Sequence, residues 1–482
     1  MMKRSLGSLA IRTIGFMMAA LMMFSPALAQ EQPSLAPMFT QWLANVQGSE
    51  PASITLSAAL HELSPYGEQT VINMNSLLEN IKANILYQRG PDGETTQTQL
   101  LIGDTPALSF AERAEASQSL AQASFLPGIT LSAASGSPLS ALLGEDDAVP
   151  SWVTDIPDLG ALTGKITEAL AGLAPFVQEK KVSFSIASVG SAKKALVYTV
   201  PEESAQILKS ALMLLSADLP LPGIGELIGS MTLSGSATVT LYQSAQGENM
   251  GFALKGTLGF QDVTPRKVSF LWGFSATEKK TVQTISLKSP AVKGSDALTV
   301  TGKAEGKYGE SKNTLSLSLD IRNTLNKKME RTRWNGDLAC LIAKDNQRLE
   351  GKIEQWHTLA DGTDETMTVT PSLMAYLQDG GVSLKGNVRV KWVQEKNVQG
   401  DISFSLLADK GAPAAFEKTA QTLSMDGMGE EQLSSLREQG DLAAAQAIWQ
   451  AAAALPPESL ALILQGITQS DWEEILGYLT DQ

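Results

Sequence analysis

Residues that commonly carry catalysis or bind metal ions are few in this chain. It contains two histidines, His61 and His357, and one cysteine, Cys340. The histidines fall on different predicted strands, and neither has a second ligand at a metal-binding interval. Cys340 stands among apolar residues, which is typical of a small buried side chain and not of a nucleophile. The sequence therefore predicts no metal site and no cofactor.

Motifs of the common enzyme classes are also missing from the sequence. The chain has no Gly-x-Ser-x-Gly elbow, no P-loop and no glycine-rich dinucleotide fingerprint. The acidic run 145–147 lacks the ligand spacing of a calcium loop. A hydrolase whose serine, histidine and acid are assembled from scattered residues stays open as a third hypothesis. These observations favour a protein that is not an enzyme.

A pattern of glycines between apolar residues fills the stretch from 231 to 408. An apolar residue stands two positions before and two positions after each of these glycines, so each glycine interrupts the apolar face of a strand. The glycines that fit are Gly235, Gly256, Gly302, Gly306, Gly336, Gly351, Gly386 and Gly400. Chance gives roughly three such cases, and strand alternation adds some. We interpret Gly256, Gly302, Gly386 and Gly400 as notches in a sheet.

Aromatic side chains share strand faces with several of these glycines. Phe270, Trp272 and Phe274 alternate along one predicted strand. One interpretation is a filled core in which the glycines mark bends. The other is a lined hollow that holds an apolar guest. The candidate ligand-binding residues are Phe252, Phe260, Phe270, Trp272, Phe274, Trp392 and Phe404.

These residues need a long sheet to position them. Alternating apolar residues and short polar turns predict eleven strands, at 232–242, 250–260, 267–274, 281–287, 297–305, 314–322, 328–342, 348–359, 365–370, 382–393 and 398–407. Consecutive strands joined in this way form an antiparallel meander. A sheet of this length must twist and curl. The predicted fold class is α+β, mainly β, with packing helices and a helical C-terminal segment.

The flanking segments complete the predicted organisation. Residues 30–135 mix short helices and strands, and 136–152 read as a flexible acidic loop. The segment 153–230 predicts a helix at 159–177, a hairpin that turns at 190–194, and a helix at 201–215. A turn is expected at 372–377. Residues 409–429 are a predicted linker, and 430–482 predict three short helices, the last opened by a capping box at 470–473.

The first residues predict export. Basic residues precede an apolar run, and Ala27-Leu28-Ala29 is a cleavage pattern typical of a secretory signal covering residues 1–29. We expect a periplasmic or extracellular protein that does not span the membrane after cleavage. No cysteine stands near the cleavage point, so no lipid anchor is expected. The net charge of −14 argues against nucleic acid as a partner.

The order of elements over residues 159–408 resembles the half-barrel carriers of lipids and lipoproteins found outside the bacterial cytoplasmic membrane. In both, a helix, a hairpin and a second helix precede a long coiled meander. The resemblance implies a non-catalytic carrier that uses the aromatic residues named above. This chain departs from the pattern, since it lacks the lipid-anchoring cysteine of many members and adds C-terminal helices. No functional residue is carried over.

Two main hypotheses follow. The first is an exported binding protein that holds an apolar small molecule or lipid on the concave face of a curled sheet. The second is a secreted scaffold with a solidly packed sheet, whose C-terminal helices dock a protein partner. An outer-membrane barrel fits less well. Aromatic residues make up only 6% of the chain, which gives no evident aromatic girdles, and the predicted C-terminal helices do not fit the closing strand of a barrel.

Overall fold

A computed structural model gives the fold of most of the chain. The described residues are 35–47, 50–90, 93–115, 117–134, 137–143, 170–216, 231–260, 265–291, 297–325, 328–359, 361–378, 381–411, 414, 416, 419, 421–455, 457 and 460. The predicted signal peptide, the acidic run 145–147, most of the predicted helix at 159–177 and the capping box at 470–473 lie outside the described residues.

The described residues form a mainly β structure with twenty strands, numbered here in chain order. The strands are β1 (Ala52–Leu63), β2 (Ile81–Gly90), β3 (Gly93–Ile102), β4 (Thr105–Ala114), β5 (Ser119–Ala123), β6 (Ile129–Ala133), β7 (Val177–Ile186), β8 (Gly190–Val200), β9 (Met231–Gln243), β10 (Asn249–Phe260), β11 (Arg266–Thr277), β12 (Lys280–Ser289), β13 (Ala297–Lys307), β14 (Lys312–Leu325), β15 (Lys328–Ile342), β16 (Asn346–Thr358), β17 (Asp364–Gln378), β18 (Gly381–Gln394), β19 (Asn397–Lys410) and β20 (Gln421–Ser424). The helices are α1 (Pro37–Gln47), α2 (Glu68–Leu78), α3 (Pro138–Leu143), α4 (Ala205–Ser216) and α5 (Glu430–Ala452).

The predicted fold class is confirmed: a long antiparallel meander dominates, with packing helices and a helix toward the C-terminus. Of the helices in the described ranges, none has the length and apolar content needed to cross a membrane. The chain divides into two compact units. The first comprises Met1–Thr40, Trp152–Thr370 and Trp392–Asn397, and the second comprises Gln41–Ser151, Pro371–Lys391 and Val398–Gln482.

In the first unit, strands β7 to β16 each pair antiparallel with the next strand in the chain. Strand β14 shows why the sequence forms this sheet. Leu315, Leu317, Leu319 and Ile321 alternate with polar or charged residues, so one face is apolar and the other is polar. Helix α4 packs on the apolar face at strands β8 to β10.

The second unit joins the N-terminal strands to β19. Strand β1 pairs with β19 from Ala52 to Leu63, and β1 to β6 follow as antiparallel neighbours. Strand β20 adds to β6 in parallel. Helices α3 and α5 cover a core that includes Phe125 and Leu142. In α5, a Cβ on Gly440 would lie 3.0 Å from the Phe125 ring, so glycine permits this close approach.

All eleven strands predicted between 231 and 408 are present, and most of them extend a few residues further. The turn predicted at 372–377 is wrong. Strand β17 continues to Gln378, because Leu373 and Ala375 alternate into buried positions. The turn predicted at 190–194 is also wrong, since β8 starts at Gly190 and the chain reverses before it, where Ser188 has a positive φ of 64°.

Three short elements lie where the sequence predicted none. Helix α3 occupies part of the predicted flexible loop and starts at Pro138, a residue that favours the first helical position. Strand β5 follows the β4 hairpin, and β20 lies in the predicted linker. Within the described residues 430–455, α5 is a helix of 23 residues and stands in place of the first of the predicted short helices.

Candidate functional site

A continuous row of paired residues crosses six strands of the first unit. Residues paired in an antiparallel sheet project from the same face, so the register of each strand pair places the row on one side. We call it the apolar row. From β10 to β15 it consists of Phe252, Trp272, Ile285, Gly302, Leu319 and Trp334.

A second row of apolar residues runs beside the first on the same face. It consists of Leu254, Phe270, Leu287, Val300 and Ile321, again in direct register. We call the side of the meander that carries both rows the apolar face. Phe252, Phe270 and Trp272, predicted from alternation within single strands, therefore belong to a surface that the register extends over six strands.

The apolar face is covered at one end and accessible further along. Phe252 is 5% exposed and belongs to a core cluster with Leu173 and with Leu208 of helix α4. Trp272 is partly buried against that cluster. Two strands from Phe252, Ile285 is 37% exposed, and Trp334 at the end of the row is half-buried. The row thus passes from a core beneath α4 to a surface that water reaches.

Four of the seven predicted binding residues come together. The ring centroids of Phe252 and Phe270 lie 6.3 Å apart, and those of Trp272 and Phe274 lie 5.0 Å apart. Phe270, Trp272 and Phe274 are partly buried against the cluster that contains Phe252. Beneath α4 this part of the face is filled by the chain's own side chains, and the ligand-binding role of the four residues stays a prediction.

The other three predicted residues are placed differently. The backbone of Phe260 pairs with Met231, and its side chain lies outside the described part of the structure. Trp392 is half-buried in β18 and belongs to the first unit. Phe404 is half-buried in the second unit, where it pairs with Ala58 of β1. A role for these residues in binding also stays a prediction.

Five of the six glycines of the pattern that lie in the first unit are on the apolar face: Gly256, Gly302, Gly306, Gly336 and Gly351. Side chains from neighbouring residues lie over these glycines. A Cβ on Gly302 would lie 2.8 Å from Ile285 Cγ2 and 3.2 Å from Leu319 Cδ1. At Gly302, therefore, the side chains of Ile285 and Leu319 occupy the space that a Cβ would fill.

The remaining glycines of the pattern are placed differently, and the role of Gly386 and Gly400 as sheet notches stays a prediction. Gly235 lies in an exposed bulge of β9 with a φ of 73°, so it does not interrupt an apolar face. In the second unit, Gly386 has a φ of 153°, and a Cβ there would strike the carbonyl oxygen of Ser372. Gly400 is buried opposite Leu63.

The opposite face of the meander is charged. The Glu305 carboxylate lies 2.7 Å from Lys303 Nζ and 3.0 Å from Lys280 Nζ, and these hydrogen bonds lower the pKa of Glu305 to about 2. Asp320 receives a two-pronged pair of bonds from Arg331, at 2.9 and 2.7 Å. Hydrogen bonds from Arg331 and Arg322 hold the pKa of Asp320 far below its usual value.

This charged face also contains a shallow depression of about 290 Å³, lined by Thr301, Gly302, Lys303, Ser318, Leu319, Asp320, Arg333 and Asn335. Beside it, the Arg333 guanidinium stacks over the Trp356 ring, 5.9 Å from its centroid. The charges of this face are largely satisfied by one another, which is typical of a solvated sheet surface.

The two histidines contact neighbouring polar side chains, and the cysteine is buried. His61 lies within 2.8 Å of the Ser403 hydroxyl, and His357 within 2.9 Å of Glu330. Cys340 is fully buried, and burial raises the pKa of its thiol to about 12. Within the described ranges, no group of three or more His, Cys, Asp or Glu side chains is arranged to hold a metal ion.

No protein-family model matches this chain, and no curated protein matches it. Several solved structures align with it at very low similarity. A BenF-like porin from Pseudomonas fluorescens Pf-5 has 6% identity and a TM-score of 0.29 over 76% of this chain and 98% of that one. OmpT of Vibrio cholerae has 8% identity and a TM-score of 0.27 over 74% of this chain and 95% of that one. Similarity this low assigns no family or function to this chain, and the resemblance to lipid carriers stays a prediction.

Sequence reasoning missed part of the row. It named aromatic residues but not Ile285, Leu319 or Trp334, which complete the surface on β12, β14 and β15. The signal was present, since Trp334 begins one of the glycine patterns. Finding the row required the strand register, which short turns fix but composition does not show.

Proposed function

We propose that the protein is an exported, non-enzymatic binding protein that holds an apolar, lipid-like ligand against the apolar row. The observation that carries this proposal is the change along the row from buried Phe252 to 37% exposed Ile285. Apolar side chains that remain accessible next to a covered core form the kind of surface on which apolar ligands bind. The predicted signal peptide supports a location outside the cytoplasm, periplasmic or extracellular.

The chemistry of the surface limits the ligand. The row offers aliphatic and indole groups, and the charged residues of β12 to β14 alternate onto the opposite face. On β15, Glu330 shares the apolar face beyond the end of the row, where it is paired with His357. Against the aliphatic and indole groups of the row itself, a charged or sugar-like ligand would lose its hydration without gaining hydrogen-bond partners. A linear hydrocarbon chain or a flat apolar ring fits this surface better, because each buried CH₂ contributes about 0.8 kcal/mol.

Two measurements test the proposal. Organic extraction of the purified protein, followed by mass spectrometry, is expected to release lipid. A fluorescent apolar probe such as N-phenylnaphthylamine is expected to bind with saturation and to be displaced by fatty acid. A protein that carries no lipid and takes up no probe would overturn the proposal.

Tryptophan residues on the two faces provide a matched control. Trp334 lies on the apolar face, and Trp356 lies on the charged face one strand away. A bound brominated fatty acid is expected to quench Trp334 and Trp272. The quenched fraction should therefore fall in Trp334→Phe and remain in Trp356→Phe. Equal loss in both variants would place the ligand elsewhere.

A second candidate function is an interaction scaffold that docks a protein partner through its C-terminal helix. Helix α5 exposes Ile448 at 38% and Trp449 at 42%, and exposed apolar side chains of this size occur at interfaces. Replacing Ile448 by serine tests this candidate. Partner capture that is abolished by Ile448→Ser, with probe binding unchanged, would support the scaffold.

A further inference from the structure

The first described residues of the chain lie on the apolar face. Two side chains from different strands hold this segment by its backbone. Asn313 Nδ2 of β14 donates to the carbonyl oxygen of Leu35 at 3.0 Å, and the Met38 N–H donates to Gln347 Oε1 of β16 at 2.9 Å. We call residues 35–40 the N-terminal strap and the two amide side chains the clamp.

The register shows which part of the sheet the strap crosses. Asn313 pairs with Cys340 of β15, and Cys340 pairs with Leu349, which lies two residues from Gln347 on the same face. Strands β14 and β16 are two strand spacings apart, about 10 Å, which the short chain from Leu35 to Met38 can span. The strap therefore passes over β15 at Cys340.

Burial along the apolar face agrees with this placement. Leu315, Leu338, Cys340 and Leu349 are all at most 3% exposed, in contrast to Ile285. These four residues share the face of the apolar row, since Leu315 and Leu319 alternate on one strand and Leu338 and Trp334 on another. The apolar face thus continues from the row toward the strap, where it is covered.

The clamp is polar in an otherwise apolar surrounding. Asn313 and Gln347 are nearly fully buried, and a buried amide is costly unless its hydrogen bonds are made. Asn313 Oδ1 also accepts from the Gly309 N–H at 3.1 Å, so the turn before β14 orients it. Gln347 accepts from one of the first N–H groups of helix α1, which lack partners within the helix.

These features set the clamp apart from apolar packing. When the strap lifts, both amides exchange one hydrogen bond for another with water, so each bond resists opening by about tenfold in the opening equilibrium. The strap's own Leu35 and Ala36 are at most 4% exposed, so opening also uncovers their side chains. The two polar contacts to the backbone thus fix the position of the strap, and its opening breaks two hydrogen bonds and uncovers a short apolar segment.

We propose that the N-terminal strap is a closure over the apolar face that opens by release of Asn313 and Gln347, lengthening the surface open to a linear apolar chain. This inference rests on the proposed function for the identity of the ligand. The closure itself does not, because it can be measured without any ligand. Long acyl chains would need the opened strap, and short ones would fit on the row alone.

Cys340 is a natural reporter of strap opening, because it is the chain's one cysteine and lies beneath the strap. The reaction of the full chain with the thiol reagent DTNB is followed under native conditions without ligand. Asn313→Ala and Gln347→Ala are each expected to speed labelling by about tenfold or more, because each removes one bond that resists local opening. Gln355→Ala, on the same face of β16 but opposite Trp334, is the matched control and should keep the wild-type rate.

A variant of the strap itself guards against misfolding of the clamp variants. Ala36 is buried, and Ala36→Lys should hold the strap open while leaving β14 and β16 intact. Wild-type labelling rates in all three variants would overturn the closure. So would labelling that follows global unfolding, measured in parallel in urea.

Ligand binding separates this inference from the proposed function. Palmitate is expected to bind the opened variants more tightly than wild type, with octanoate unchanged. Faster labelling without binding of either acid would leave the closure standing and overturn the proposed function. Binding of both acids with no change in labelling would overturn the closure alone.

Discussion

Gly251 and Gly273 are direct partners across β10 and β11, and the Ile186 side chain fills the space above both. A Cβ on Gly251 would lie 2.8 Å from Ile186 Cδ1. These glycines point away from Phe252 and Trp272, so the end of the β7–β8 hairpin covers the face opposite the apolar row. Phe184 stacks on Tyr242 beside them, with 4.5 Å between ring centroids.

This contact predicts a steep cost for the smallest added side chain. Gly273→Ala would place its methyl against Ile186 Cγ2 and 2.9 Å from Thr284 Oγ1. We expect the free energy of unfolding to fall by about 1–3 kcal/mol, as for other overpacked sites. Urea unfolding measures it, with Gly381→Ala as a control because its nearest contact is an ordinary 3.8 Å.

The same contact predicts coupling between the two sites. Ile186→Ala removes the side chain that the new methyl strikes, so the double variant should be more stable than the sum of the single losses predicts. Additive losses would show that Ile186 and Gly273 do not press on each other.

Much of the fold could be predicted from the sequence, because each meander strand carries its own alternation and is joined by a short turn. Strand β15 begins and ends as predicted, at Lys328 and Ile342. The errors lie where distant contacts override local signals. Pro371 favours a break, yet β17 continues beyond it because Leu373 and Ala375 find buried positions.

The candidate site was predicted less completely. The flanking rule found Gly302, whose neighbours on its own strand are apolar, but missed Gly251 and Gly273, which have polar residues at Asn249 and Ser275. What fills these two positions comes from a hairpin far away in the chain. A contact from such a distant segment cannot be predicted from the residues that flank each glycine.

The apolar row predicts that, of two adjacent lysine substitutions, one weakens ligand binding and the other does not. Ile285 is 37% exposed on the apolar face, and Ser286 projects to the charged face. Ile285→Lys should weaken binding of the apolar probe by about tenfold or more, because a charge must be desolvated beside the ligand. Ser286→Lys should leave binding unchanged. A probe titration decides, and equal affinities in both variants would remove the row from the site.

Glu305 predicts an acid-sensitive contribution to stability. Its pKa falls from 4.5 to about 2 through hydrogen bonds from Lys303 and Lys280. The folded pKa is lowered, so the stabilisation is present above pH 4.5 and is lost as the pH falls toward 2. After allowance for solvent screening, this contribution of Glu305 to the free energy of unfolding amounts to about 1–3 kcal/mol.

Glu305→Gln should remove this dependence. The variant is expected to be less stable than wild type at neutral pH and to match it near the acid limit of the window. Urea unfolding across that range measures the difference. Glu354→Gln, a control whose carboxylate pairs with Lys352, should keep the pH dependence of wild-type stability. A constant gap between Glu305→Gln and wild type at every pH would contradict the assignment.

Asp401 in the second unit predicts an asymmetric loss of stability. Its side chain is 3% exposed, while its partner Arg389 is 53% exposed and donates two hydrogen bonds of 2.7 Å. Burial raises the pKa of Asp401, but the bonds from Arg389 outweigh this and leave the pKa below its ordinary value. Removing the arginine leaves the buried Asp401 carboxylate without this partner, so Arg389→Met should lower the free energy of unfolding by about 2–4 kcal/mol. Asp401→Asn should cost less, because it leaves a neutral amide and an arginine that reaches water.

The order of these two losses also depends on pH. In Arg389→Met the pKa of Asp401 should rise, so the variant regains part of its stability as the carboxyl becomes protonated in mild acid. Asp401→Asn has no such carboxyl and should show no gain. Urea unfolding of both variants at neutral and acid pH tests this, with Lys391→Met, whose amine lies 3.9 Å from Asp401, as the milder control. A larger loss in Asp401→Asn than in Arg389→Met would show that the pair stabilises the sheet through the carboxylate's own contacts and not through charge compensation.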